Sequence, residues 1–153
     1  MDAEAEQWVA KVKATHNVSD LSRDEDLSIA LMNLISLEEH LFFTSQKTRK
    51  PAYLDMLSAI RTLRITLLRK IVTDPQGEEW CISKHLLGAS MRLMEVGTKE
   101  LARQSPDAEK YFNAAFELYS LFFGINLKIE AKKGFGSTIK DVVARVVNCC
   151  KEW

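Results

Sequence analysis

Glycine and proline are scarce in this chain, six and three residues of 153. So few breakers leave room for only a handful of connections, and they exclude a low-complexity or linker-rich chain. Cysteine is equally sparse: Cys81, Cys149 and Cys150. An odd number, two of them adjacent, makes a poor disulfide framework, so a reducing cytoplasm is the expected compartment. Net charge is absent, because 21 Lys and Arg balance 21 Asp and Glu. No long-range field then draws nucleic acid or an anionic membrane surface. The basic clusters Lys47, Arg49, Lys50 and Lys128, Lys132, Lys133 are short. Cations favoured near helix C-termini explain them. No apolar run approaches the roughly 20 residues that span a membrane. The opening stretch MDAEAEQWVAKVK is acidic and then amphipathic, without the basic start and apolar core of a secretory signal.

Catalytic and cofactor motifs are also missing. A carboxylate-bridged di-iron bundle needs Glu-x-x-His pairs, and none of His16, His40 and His85 follows a glutamate at that spacing. Cys149-Cys150 has no Cys or His companion at zinc-ligand spacing. There is no Walker motif and no G-x-G-x-x-G; Gly134-Phe135-Gly136 follows a helical pattern and lacks a third glycine. Cys81 and His85, four apart, both fall on the outward stripe of their helix. No catalytic residue, metal ligand or cofactor is assigned.

What the chain does have is helical periodicity. Its length suits one domain, and 46% hydrophobic with 27% charged residues is ordinary for a globular protein. Apolar residues recur at i, i+3, i+4, i+7 throughout, and strand-like alternation is absent. Four long helices are expected, at about 24–48, 51–73, 78–103 and 106–133. Ser19, Asp20 and Ser22 form a cap-like stretch before the first, and Pro51 opens the second. Asp74-Pro75-Gln76-Gly77 and Ser105-Pro106 mark the next two connections. Shorter amphipathic segments flank them at about 2–14 and 137–152. The expected fold is all-α: a single antiparallel up-and-down four-helix bundle with short N- and C-terminal flanking helices.

Most charged side chains fall on solvent arcs when residues are placed 100° apart. A few do not. Glu38 lies near the centre of the first helix's apolar arc, and Arg61 and Arg64 interrupt the second's. Ser83, Ser90 and Gly97 run along the centre of the third at heptad spacing, while Tyr119 and Asn126 lie within the fourth's. Counting heights across antiparallel turns places Glu38, Arg61, Ser90 and Tyr119 in one layer, with Arg64 one turn away and reaching back. Asn126 and Ser83 fall in a separate layer. Three readings remain open: a buried salt bridge that fixes helix register, a pocket for a small anion or polar ligand with the arginines as a clamp, and arginines that snorkel to the rim. The candidate ligand-binding set is Glu38, Arg61, Arg64, Ser90, Tyr119 and Asn126. On the fourth helix, Phe116 and Phe123 sit toward the edge of the apolar arc, within reach of a flanking helix or a partner.

The segment AEKYFNAAFELYSLFFG loosely resembles one helix of the helical ribonuclease bundles of toxin–antitoxin systems. Their signature, an Arg four to six residues before a His, is absent, so no family is assigned. The expected function is that of a non-enzymatic bundle acting through protein contacts or self-association, as a homodimer or in a small complex, with residues 137–153 as the contact element. The alternative is a ligand-binding or catalytic bundle built on the Glu/Arg/Ser/Tyr layer.

Overall fold

A computed structural model describes residues 3–129 and 135–146. Among these there are six α-helices: α1 (Ala3–Thr15), α2 (Val18–Thr48), α3 (Ala52–Leu68), α4 (Glu79–Ala102), α5 (Ala108–Asn126) and α6 (Phe135–Val146). The all-helical fold is as the periodicity predicts. The expected helical stretch at 130–133, Gly134, Cys149 and Cys150 lie outside the described residues.

α2 is longer than expected. It begins at Val18, not near residue 24, and its 31 residues span about 46 Å. The reason lies in Leu21, Glu25, Ser28, Met32 and Ile35, all buried at the spacing of one helical seam. Two of these five are polar, so the amphipathic signal fades just where the helix continues. Ser28 Oγ donates to the Glu25 carbonyl at 2.6 Å, which meets its own hydrogen-bonding need inside the helix.

Two other helices are shorter than their apolar patterns. After Leu68 the chain turns, yet Ile71 and Val72 remain buried, so apolar spacing outlasts the helix. α5 stops because Lys128 adopts a left-handed backbone with φ of 54°. Ile129 N–H then reaches the Gly124 carbonyl at 2.9 Å and Lys128 N–H the Ile125 carbonyl at 3.1 Å, closing a Schellman cap. The side chain of Lys128 donates to Glu79 at 2.7 Å and to the Asp74 carbonyl at 3.3 Å, tying this end of α5 to the α3–α4 connection. Glu79 also accepts the Gln76 N–H at 2.9 Å. That backbone donor, and then the Lys128 ammonium, hold its carboxyl below the usual range.

The principal packing pairs run in series: α3 on α2, α2 on α4, α4 on α5, α5 on α6, and α6 on α1. Pairing of α3 with α4, which a closed ring of four helices would need, is not among them. Glu39 pairs with Arg92, and Ile35 lies where a Cβ at Gly88 would meet it at 3.2 Å, so α2 and α4 run the same way. α4 and α5 run in opposite directions. Ser83 meets Asn126, Ser90 meets Ala115, and Gly97 meets Phe112 along their length. The small stripe on α4 thus serves close approach to α5. A Cβ on Gly97 would lie 2.9 Å from the Phe112 ring.

α6 closes the other side. Ile139, Val142, Val143 and Val146 are buried, α6 packs on α5 and α1, and Ala5 and Val12 of α1 join the same core. A Cβ at Gly124 would come within 2.6 Å of Ile139, so glycine is what lets α6 sit this close to α5. The described part of the expected contact element, 137–146, therefore buries these apolar side chains within its own chain. Residues 147–153 lie outside the described residues. Among the described residues, no helix is long and apolar enough to cross a membrane.

Candidate functional site

The two arginines of α3 have different fates. Arg64 is buried, with 3% of its side chain exposed, and forks onto Glu38 of α2: Nε donates to Oε1 at 2.7 Å and Nη2 to Oε2 at 3.2 Å. Both carboxylate oxygens and two guanidinium nitrogens are used, the geometry that best offsets desolvation of a charge pair. Arg61 is 57% exposed and only approaches Glu38 Oε2, at 3.8 Å. At that exposure it adds at most about 1 kcal/mol. Of the three readings, the paired arrangement describes Arg64 and the rim arrangement describes Arg61.

The other members of the expected layer lie elsewhere. Ser90 of α4 donates to the Ala115 carbonyl of α5 at 2.8 Å. Tyr119 of α5 shares a hydrogen bond of 2.7 Å with Ser28 of α2 and packs edge-on against Phe123, with centroids 5.3 Å apart. Asn126 donates to Ser83 at 3.2 Å and to the Phe122 carbonyl at 2.8 Å, in the separate layer expected for that pair. Helical heights were legible from residue counts, but the direction each stripe faces was not. α4 turns its small residues to α5, which removes Ser90 from the Glu38–Arg64 pair.

Ser90 and Tyr119 do share a space. They line a cavity of about 620 Å³ bounded by α2, α4, α5 and α6. Glu38, Arg61 and Arg64 take no part in it. Its walls are largely apolar, and its polar contributors are Glu25, Asn33, Ser90 and Tyr119. Glu25 is 4% exposed. Neither Glu25 nor Ser28 belongs to the sequence-derived set. Their signal was available, since both continue the Met32–Ile35 seam toward Leu21, but polar residues just after a cap-like stretch read as the solvent face of a first helical turn. A second, more polar cleft of about 400 Å³ lies between α2 and α4, walled by Glu38, Glu39, Lys84, His85 and Arg92. Cys81 and His85 are exposed, in agreement with the outward stripe.

One buried hydroxyl makes no use of its hydrogen-bonding capacity. Ser120 is fully buried on α5, and among the described residues its Oγ has no partner. Removing an unsatisfied buried hydroxyl recovers its desolvation cost, on the order of 1 kcal/mol. Alanine is also the better helix former. Ser120→Ala is expected to raise the melting temperature by about 2–4 °C, measured by thermal denaturation. Unchanged or lower stability would mean that the hydroxyl is satisfied. Compared with protein-family models, with curated proteins and with solved structures, the chain shows no match.

Proposed function

We propose that this protein is a non-enzymatic helical bundle that acts through protein contacts, first of all with a second copy of itself. The reading takes α2 to α5 as an antiparallel up-and-down bundle. Its support is the opposed run of α4 and α5 and the short connection between α2 and α3. The observation that carries the function is the apolar surface left where α3 and α4 are not principal partners. Met56 and Leu63, seven residues apart on α3, are exposed, as are Ile82 and Val96, fourteen apart on α4. Side chains at these spacings form stripes along one flank of a helix. Stripes of this kind are normally buried against a neighbouring helix. A second copy placed against them removes both from water. Zero net charge leaves no long-range repulsion between copies. The exposed free thiol of Cys81 suits a reducing, cytoplasmic setting.

Sedimentation equilibrium tests the reading. The wild-type chain is expected to be dimeric at concentrations on the order of 10 μM, since a modest apolar interface commonly reaches this range. Leu63→Glu places a charge on the exposed α3 stripe and is expected to give a folded monomer. A wild-type chain that stays monomeric to about 1 mM, an affinity too weak to matter, would refute self-association.

A further inference from the structure

The cavity between α2, α4, α5 and α6 lies apart from the α3 surface, since no residue of α3 lines it. Its volume, about 620 Å³, falls within the range of small-molecule sites. Ile29, Met94 and Phe116 all line it and are all exposed, so the cavity has a mouth through which a ligand can enter. Water holds a place in such a space only where it finds about two to four polar partners. The chemistry of the occupant therefore turns on which polar groups of the wall are still open.

Those groups are turned to the chain itself. The Ser90 hydroxyl donates to the Ala115 carbonyl at 2.8 Å, Tyr119 shares its hydrogen bond with Ser28 at 2.7 Å, and the Asn33 amide donates to the Ile29 carbonyl at 3.0 Å. Glu25, the one acidic residue of the wall, is buried and has a partner of its own. The wall carries no Lys, Arg or His. A charged ligand would give up its hydration here with no free counter-group to replace it. An apolar one gains burial and leaves every one of these hydrogen bonds in place. Three of the chain's five methionines, Met32, Met91 and Met94, face Phe112, Phe116 and Tyr119 across the space. Unbranched thioethers reshape around varied apolar bodies and make favourable contacts with rings. We infer that this cavity binds a small uncharged apolar molecule, held between the methionines of α2 and α4 and the aromatic side chains of α5.

Fluorescence titration of the full chain tests this with two probes that share their rings and differ in charge. N-phenyl-1-naphthylamine is uncharged, and 8-anilino-1-naphthalenesulfonate carries a sulfonate. The uncharged probe is expected to bind saturably, one per chain, with a Kd on the order of 10 μM for a molecule of its size. The sulfonate is expected to bind roughly tenfold or more weakly, because its charge finds no partner in the cavity. Met94→Trp, at an exposed position of the mouth, fills the entrance and is expected to weaken the uncharged probe at least roughly tenfold. Leu101→Gln removes an exposed apolar side chain that does not line the cavity, and is expected to leave that binding unchanged. Sulfonate binding as tight as that of the uncharged probe would overturn the inference. So would binding untouched by Met94→Trp, binding weakened equally by Leu101→Gln, or no saturable binding at all. The comparison of the two probes on the wild-type chain decides the matter even if Met94→Trp does not fold. The sedimentation result for α3 is independent of these titrations.

Discussion

Arg64→Leu is expected to destabilise the protein by about 3 kcal/mol, and Glu38→Leu together with Arg64→Leu to recover most of that loss. The asymmetry follows from where the charges sit. Glu38 has 13% of its side chain exposed and accepts both hydrogen bonds from the buried Arg64. Removing the guanidinium leaves a carboxylate desolvated at the α2–α3 contact, with the exposed Arg61 at 3.8 Å as its remaining cation. Removing both charges leaves an apolar contact of similar volume, which is often neutral or better. Arg61→Ala should change stability by less than about 1 kcal/mol, as for other exposed pairs. Chemical denaturation of the wild type, Glu38→Leu, Arg64→Leu and the double variant gives the result as a double-mutant cycle. If Arg64→Leu proves no more costly than Arg61→Ala, the pair does not hold α3 to α2. At about 2–4 °C per kcal/mol for a chain of this size, the expected fall in melting temperature is roughly 6–12 °C.

Phe123→Ala is expected to cost about 4 kcal/mol, and Phe116→Ala less than about 1. Both residues sit toward the edge of the α5 apolar arc, and a helical wheel alone treats them alike. The tertiary packing separates them. Phe123 is 1% exposed, with its ring against those of Tyr119 and Phe122 at 5.3 and 5.2 Å. Phe116 is 41% exposed at the mouth of the cavity. Deleting the first ring opens a void in the core, and deleting the second leaves a hollow at the open mouth of the cavity that water can fill. Denaturant titration of both variants measures the difference. Similar losses for the two would place Phe116 in the core as well.

Part of the site was legible in residue order. Glu38, Arg61 and Arg64 each stand out as charges on an apolar arc; turn positions bring Arg61 level with Glu38 and leave Arg64 one turn away, and it is Arg64 that reaches back to the carboxylate. The pairing of Asn126 with Ser83 follows from the same counting. Grouping Ser90 and Tyr119 with the charged pair fails because heights do not specify azimuth. In a series of packed helices, residues at one height can face different neighbours. Ser90 faces α5, Glu38 faces α3, and Tyr119 reaches α2 one seam away at Ser28. Glu25 and Ser28 were hidden for the opposite reason. They are polar residues on a buried seam, and at Ser28 that seam meets Tyr119 of α5, a partner 91 residues away in the chain.

The sequence by itself determined an all-helical chain, the approximate place of each connection, and Glu38 with Arg61 and Arg64 as the charges set on apolar arcs of neighbouring helices; which arginine is buried against Glu38 it left open. These follow from local rules: the helical period, the scarcity of breakers, and the cost of a lone charge on an apolar face. Only the tertiary structure decided which helix each face meets. It joined α3 to α2 without making α4 its principal partner, turned the small stripe of α4 toward α5, buried α6 within the chain, and enclosed a cavity around Glu25. Those outcomes rest on contacts between residues far apart in sequence, where several packings satisfy the same helical pattern. Side-chain volume and close approach at Gly97 and Gly124 choose among them.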